Sequence, residues 1–141
     1  MPAKKETKTN KPKDYIFAVG RRKSSSARVR LFNGKGENMV NEKPMKEYFP
    51  GPVNAFHYML PYRVLDVSDK YYVTAKVTGG GPKGQVEAVR LGIARALIKS
   101  KAEFRGALKA AGLLTRDPRV RERRKVGTGG KARRQKQSPK R

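Results

Sequence analysis

The chain has 141 residues, of which 35 are Lys or Arg and 11 are Asp or Glu, giving a formal net charge of +24. This length suits one domain with a modest core. The charge predicts a polyanionic partner, most simply a nucleic acid whose phosphates each pair with a cation. The absence of Cys excludes disulfides and thiolate metal sites. No apolar run approaches the roughly 20 residues of a membrane-spanning helix, so we expect no membrane partner.

The amino-terminal third predicts an arm followed by strands. Residues 1–13 are Lys-rich, contain no aromatic residue and no Val, Ile or Leu, and are predicted to be a disordered arm. Residues 15–19 predict a strand that Gly20 ends, and residues 21–26, with three adjacent cations and three Ser, predict a turn. In residues 27–31, Ala, Val and Leu alternate with Arg28 and Arg30, which places both Arg side chains on the face away from the core.

The middle of the chain is more broken. Asn33 and Gly34 predict a hairpin-like turn, with residues 39–40 as a short returning strand. Residues 43–49 predict one or two helical turns, and residues 53–60 a second short helix that Pro61 stops. We expect an irregular or extended connection over residues 62–67.

Residues 71–78 are the clearest strand, because apolar side chains occupy every second position. A Gly-rich loop over residues 79–84 then opens a helix at Pro82. Glu87 and Arg90 are spaced to pair along this helix, and a second helix over residues 102–111 ends at Gly112. The apolar positions of the first helix are Val86, Val89, Ile93, Ala96 and Leu97. The order of elements predicts an α+β fold, with a sheet that carries helices on one face.

The last 26 residues differ from the rest of the chain. Residues 116–141 hold 12 basic and 2 acidic residues and no aromatic residue. Such a segment has no apolar surface to fold around, but it can thread between RNA helices and become ordered there. Fully extended, it would reach about 85 Å.

Two patterns raise enzymatic alternatives. Residues 79–84 match G-x-G-x-x-G between a strand and a helix, but Pro82 intrudes and no strand follows the helix at the expected place. Two interpretations of the loop are therefore favoured over a nucleotide-binding enzyme. In one its backbone approaches a phosphate, and in the other it is a tight turn without a ligand. His57 and residues 24–26 supply a Ser and a His but no nucleophile elbow. We expect no catalytic residue, no metal site and no cofactor.

The stronger signal is the cation-rich turn and strand of residues 20–30. Arg forks two hydrogen bonds to a phosphate and Ser adds one, so this segment predicts contact with RNA or DNA. A solvated basic surface is the alternative, and a DNA architectural factor is the competing class of protein.

Several segments, in order, resemble the bacterial small-subunit ribosomal protein nine family. The resemblance covers about residues 15–141, and its motifs lie in residues 20–29, 79–85, 90–97, 114–117, 120–125 and 140–141. It implies a four-stranded sheet backed by helices, like the second domain of ribosomal protein five. We expect a globular RNA-binding domain (14–115) and an extended basic tail (116–141), with the disordered arm (1–13) as an addition outside the family pattern. In this tail Ser138 and Pro139 replace an aromatic residue and a Ser that are common in the family.

The resemblance further implies a structural constituent of the small ribosomal subunit in the cytoplasm, bound to ribosomal RNA in the subunit head beside other head proteins and not a homo-oligomer. Its tail would contact peptidyl-site tRNA through Lys140 and Arg141. Residues expected to contact ribosomal RNA are Arg21, Arg22, Lys23, Ser24, Arg28, Lys83, Arg116, Arg121, Arg123, Arg124, Lys125, Lys131, Arg133 and Arg134.

Overall fold

The fold is built on a sheet of five strands. The computed structural model describes residues 14–123. The strands are β1 (Ile16–Arg22), β2 (Ser25–Asn33), β3 (Met39–Val40), β4 (Lys43–Pro44) and β5 (Tyr71–Thr78), and their order in the sheet is β1-β2-β5-β3-β4. The antiparallel pairs are β1 with β2, β2 with β5 and β3 with β4, whereas β3 runs parallel to β5.

The predicted number of strands, four, is wrong because residues 43–44 pair with β3 instead of starting a helix. Asn41 and Glu42 form the two-residue turn between them, both with positive φ (49° and 68°). Such turns usually carry Gly at the second position, so Asn-Glu gives little signal in the sequence. The Asn41 side chain also accepts a hydrogen bond from Val77 N at 2.9 Å and donates one to Val77 O at 3.1 Å, which continues the sheet past β3.

The predicted return of residues 39–40 along the preceding strand is also wrong. Both edges of β2 are occupied, by β1 and by β5, so β3 pairs with β5. Asn38 helps to seat it, because its Oδ1 accepts a hydrogen bond from Val73 N at 3.1 Å.

The helices are α1 (Met45–Tyr48), α2 (Pro52–Leu65), α3 (Pro82–Ser100) and α4 (Phe104–Ala110). The prediction that Pro61 ends the second helix is wrong, and so is the irregular segment after it: α2 continues to Leu65 and ends at Asp66 in the left-handed region. Pro61 lacks an N–H and loses one helical hydrogen bond. Its ring and the Tyr62 side chain are buried, and this apolar burial favours continuation of the helix.

The core confirms the alternation that the sequence predicts for β2 and β5. Ala27, Val29 and Leu31 are buried on one face of β2, and the predicted apolar positions of α3 are all buried. The described helices lie on this one face of the sheet: α3 packs across β1 and β2, and α2 packs on α3. The fold is therefore α+β with helices on one face, as predicted.

Glycine sets the distance between β1 and α3. A Cβ built on Gly20 would collide with Ala88 O and lie 2.5 Å from Gly92 N, and one on Gly92 would lie 2.6 Å from Val29 Cγ2. The two glycines therefore allow backbone to approach backbone. The end of α4 confirms the predicted cap: Gly112 (φ 73°) donates to Lys109 O, and the next residue, Leu113, donates to Leu108 O.

Candidate nucleic-acid interface

A tight hairpin turn presents cations at one end of the sheet. The β1 strand extends to Arg22, so Arg21 and Arg22 lie in a strand and not in the predicted turn. Arg22 pairs with Ser25, which leaves Lys23 and Ser24 as the two turn residues. Lys23 has a φ of 52°, and both turn side chains are exposed. Since side chains alternate along a strand, Arg21 is exposed where Arg22 is buried.

The Gly-rich loop packs directly against this hairpin. Ser25 Oγ donates to Gly79 O at 3.1 Å, and Gln85 Nε2 donates to the same carbonyl at 3.0 Å. Gly79 and Gly80 have positive φ (75° and 66°), and a Cβ on Gly80 would collide with Ser25 Oγ. Packing of the turn therefore accounts for both glycines, and this supports the alternative of a tight turn over a nucleotide site. Lys83, in the first turn of α3, is exposed close to this loop.

His57 and the Ser cluster have different partners. His57 Nδ1 lies 3.1 Å from Arg90 Nη1, whereas Ser25 Oγ is bonded to the Gly79 carbonyl. Within residues 14–123, no three His, Cys, Asp or Glu side chains lie together as a possible metal site. None of the helices in this range is long and apolar enough to cross a membrane.

Arg22 is occupied inside the protein. Its side chain is 8% exposed; Nε lies 2.6 Å from Glu87 Oε2 and Nη2 lies 3.2 Å from Asp117 Oδ2. Its Nη1 donates to Arg119 O at 3.0 Å. The predicted pairing of Glu87 with Arg90 is therefore wrong, since Glu87 pairs with Arg22. Because Nε, Nη1 and Nη2 of the Arg22 guanidinium all have partners within the protein, Arg22 does not belong to the surface that could contact RNA.

This ion-pair cluster directs the start of the basic tail back to the hairpin. Asp117 accepts hydrogen bonds from Arg119 N at 3.0 Å and from Arg119 Nη2 at 2.7 Å. These bonds, with the nearby charges of Arg119 and Arg22, hold the pKa of Asp117 well below its usual range. Beyond Asp117 the chain lies beside the turn. The two segments enclose a cleft of about 510 Å³, which is lined by Lys23, Ser24, Arg119, Val120 and Arg121.

The face of the sheet that carries no helix among residues 14–123 is also basic. Arg28 and Arg30 are exposed there, as the sequence predicts. Arg28 lies opposite Lys76 of β5, and Arg30 lies opposite Phe17 on one side and Thr74 on the other. These side chains, with Asn41, Glu42 and Ala75, line a depression of about 400 Å³.

The structure thus brings together part of the predicted contact set. Lys23, Ser24 and Arg121 line one cleft, and Arg21, Arg28, Lys83, Arg116 and Arg123 are exposed. Sequence analysis missed Arg119, Lys76 and Phe17 as surface residues, and it included Arg30 only within the segment of residues 20–30. Lys76 and Phe17 could have been found by extending the strand alternation across neighbouring strands. Arg124, Lys125, Lys131, Arg133, Arg134, Lys140 and Arg141, the arm of residues 1–13, and Ser138 and Pro139 lie outside the described residues.

The fold is α+β with helices on one face of the sheet, and cations lie at one end of the sheet and on its open face. This arrangement is typical of small basic proteins that bind a polyanion. The model of the family described as ribosomal protein S9/S16 matches residues 20–141. Proteins named small ribosomal subunit protein uS9 are similar to this chain in Porphyromonas gingivalis (46% identical over 114 residues, 81% of this chain and 89% of the relative) and Amoebophilus asiaticus (47% over the same shares). The chain therefore belongs to the ribosomal protein S9 family.

Family membership confirms the resemblance drawn from the sequence. The protein is a ribosomal protein of the small subunit, acts in translation as a structural component, and is not an enzyme. RNA binding is implied by the family, and it agrees with the basic surface described above.

Proposed function

We propose that the globular part binds small-subunit ribosomal RNA in the head of the subunit and that the carboxy-terminal tail contacts peptidyl-site tRNA. The observation that carries the first half is the convergence of Lys23, Arg119 and Arg121 on one cleft. Lys23 and Arg121, with the Ser24 hydroxyl beside them, fit the recognition of an RNA backbone by charge-assisted hydrogen bonds. Arg119 is bonded to Asp117, but unlike Arg22 its side chain is 79% exposed and can also face a phosphate. Neighbouring head proteins are the protein partners of this proposal, which takes the chain as one copy per subunit in the cytoplasm.

The proposed contact surface follows from exposure as well as charge. Arg21, Lys83, Arg116 and Arg123 are exposed around the cleft or on the adjoining segment. Binding would weaken with added salt. For each phosphate that a cation neutralises, the slope of log K against log salt concentration would become more negative by about 0.7 to 0.9. The further members of the surface would come from the tail, namely Arg124, Lys125, Lys131, Arg133 and Arg134.

The tail is proposed to act by charge. Its net charge of 12 − 2 = +10 over residues 116–141 suits passage along phosphates, and Lys140 and Arg141 at its end would contact the tRNA backbone. Because Ser138 and Pro139 replace the usual aromatic and Ser residues, a contact by an aromatic ring is not part of the proposal. We further propose that residues 1–13 form a separate arm and 14–115 the globular domain.

The first test follows the tagged chain through a sucrose gradient before and after Mg²⁺ is lowered to separate the subunits. Co-migration with the small subunit through a moderate-salt wash supports incorporation on RNA. Sedimentation at the top of the gradient, or with DNA, would contradict it.

The tail has its own test. In small subunits that carry Lys140→Ala and Arg141→Ala together, assembly should be intact, but peptidyl-site tRNA should dissociate faster. Lys4→Ala with Lys5→Ala, in the arm, removes the same charge and serves as the matched control. Equal tRNA retention in the two variants would refute a tRNA contact at the end of the tail.

A further inference from the structure

The open face of the sheet has aromatic and basic side chains in ordered rows. One row across three strands consists of Phe17, Arg30 and Thr74, and the next of Val19, Arg28 and Lys76. Neighbouring strands lie about 4.8 Å apart. The three cations and the Phe17 ring therefore share one face, and together they line a single depression of about 400 Å³.

Among the described residues, Phe17 is the aromatic side chain that lines this depression. Its side chain is 43% exposed, and it has no aromatic partner among residues 14–123. The other rings of the face pack together: Phe32 stacks on Tyr72 with centroids 5.1 Å apart, and Tyr15 lies 5.8 Å from Phe32. Tyr15 is 36% exposed, and the Arg30 guanidinium lies 5.1 Å from its ring. The Phe17 ring therefore presents an uncovered apolar plane beside cations.

The charges around the ring favour an anionic partner. The lining contains three cations and one carboxylate and therefore carries a net charge of 3 − 1 = +2. The cations are Arg28, Arg30 and Lys76, and the carboxylate is Glu42. Asn41 also lines the depression, but its amide is engaged by Val77 and Tyr48. Recognition here would therefore combine a flat apolar surface with positive charge.

We propose that this open face binds an unpaired stretch of RNA, with one base stacked on Phe17 and the flanking phosphates held by Arg28, Arg30 and Lys76. Aromatic rings interleaved with cations on a sheet bind single strands, because an unstacked base offers a planar face that a duplex keeps inside its own stack. This inference rests on the proposed binding of ribosomal RNA, and it specifies that part of that RNA is single-stranded at the sheet.

The chain provides a clean reporter, since it contains no Trp. Phe17→Trp introduces one indole at the proposed stacking site and preserves an aromatic plane. Phe56→Trp is the matched control, because Phe56 has a similar exposure of 48% but lies on α2, which packs on α3 on the opposite side of the sheet. In the full-length protein, a short oligoadenylate should quench the fluorescence of the first indole by stacking and leave the second nearly unchanged.

Affinity gives the second measurement. Phe17→Ala should weaken binding of the oligoadenylate by about tenfold, or about 1.4 kcal/mol, which lies in the range typical for loss of one base–aromatic stack. The same substitution should have little effect on the affinity for an RNA duplex of equal charge. Phe56→Ala should change neither affinity. Raised salt reduces the contribution of the basic tail, which is common to both RNAs, and thermal melting of each variant verifies its fold.

The outcomes separate this inference from the proposed function. Absence of quenching at position 17, or equal losses of affinity for single strand and duplex, would overturn the single-strand site, while co-migration with small subunits would still support ribosomal RNA binding. Exclusion of the unmodified chain from small subunits would instead overturn the proposed function, whatever the oligoadenylate result.

Discussion

Replacing Arg22 tests whether this buried cation stabilises the fold or contacts RNA. Arg22→Met keeps much of the side-chain length but removes the charge that faces Glu87 at 2.6 Å and Asp117 at 3.2 Å. Removing one partner of a buried ion pair typically costs 3–5 kcal/mol. The partners here are partly exposed, with side-chain exposures of 21% and 31%, and Asp117 keeps Arg119. We therefore expect the free energy of unfolding to fall by about 2–3 kcal/mol.

The assay is thermal or urea unfolding of the full-length protein. A loss of this size corresponds to a decrease in Tm of roughly 8–12 °C for a domain of this length. Arg21→Met is the matched control, because Arg21 precedes Arg22 in β1 but is exposed. We expect it to change stability by less than about 0.5 kcal/mol and, unlike Arg22→Met, to reduce the salt slope of RNA binding.

The pH dependence gives an independent check on the same cluster. The pKa of Asp117 is lowered, chiefly by hydrogen bonds from Arg119. A carboxyl group with a lowered pKa contributes stability above its ordinary pKa of about 4, and that contribution is lost as the pH falls through the lower value in the folded protein. The difference in stability between the parent chain and Asp117→Asn should thus be constant from pH 7 to pH 5 and shrink below about pH 4.

The reasoning would be refuted if Arg22→Met and Arg21→Met destabilised the protein equally. A decrease in RNA salt slope for Arg22→Met alone would show that Arg22 leaves its internal partners to bind phosphate.

Two further substitutions test the packing. Gly20→Ala should lower the free energy of unfolding by about 1–3 kcal/mol, because its Cβ would collide with Ala88 O and force β1 and α3 apart. Gly106→Ala is the control, because Gly106 is exposed on α4 and nothing lies within 4 Å of a Cβ built on it. Urea unfolding should show a gain of about 0.5–1 kcal/mol for this variant. Tyr62→Phe removes a buried hydroxyl that has no hydrogen-bond partner in the described part of the chain. Thermal melting should show a free energy of unfolding that is unchanged or up to about 1 kcal/mol higher. A marked decrease in Tm would indicate that the hydroxyl has a hydrogen-bond partner.

Short-range patterns in the sequence determined much of this protein. The two-residue alternation in β2 and β5 fixed which side chains face the core, including the outward direction of Arg28 and Arg30. Helical spacing fixed the buried side of α3. These patterns are reliable because burial of apolar side chains must follow the period of the backbone. The family motifs carried the identification, which neither charge nor spacing could have supplied.

Only the tertiary structure decided which distant segments meet. The pairing of β3 with β5 depends on both edges of β2 being occupied, and the length of α2 depends on core space for Pro61 and Tyr62. The largest difference concerns Arg22, which is indistinguishable from Arg21 and Lys23 in a run of cations, yet pairs with Glu87 65 positions away. A charge in a sequence does not reveal its partner, because the free energy that selects one depends on burial and distance, and both are set by the fold.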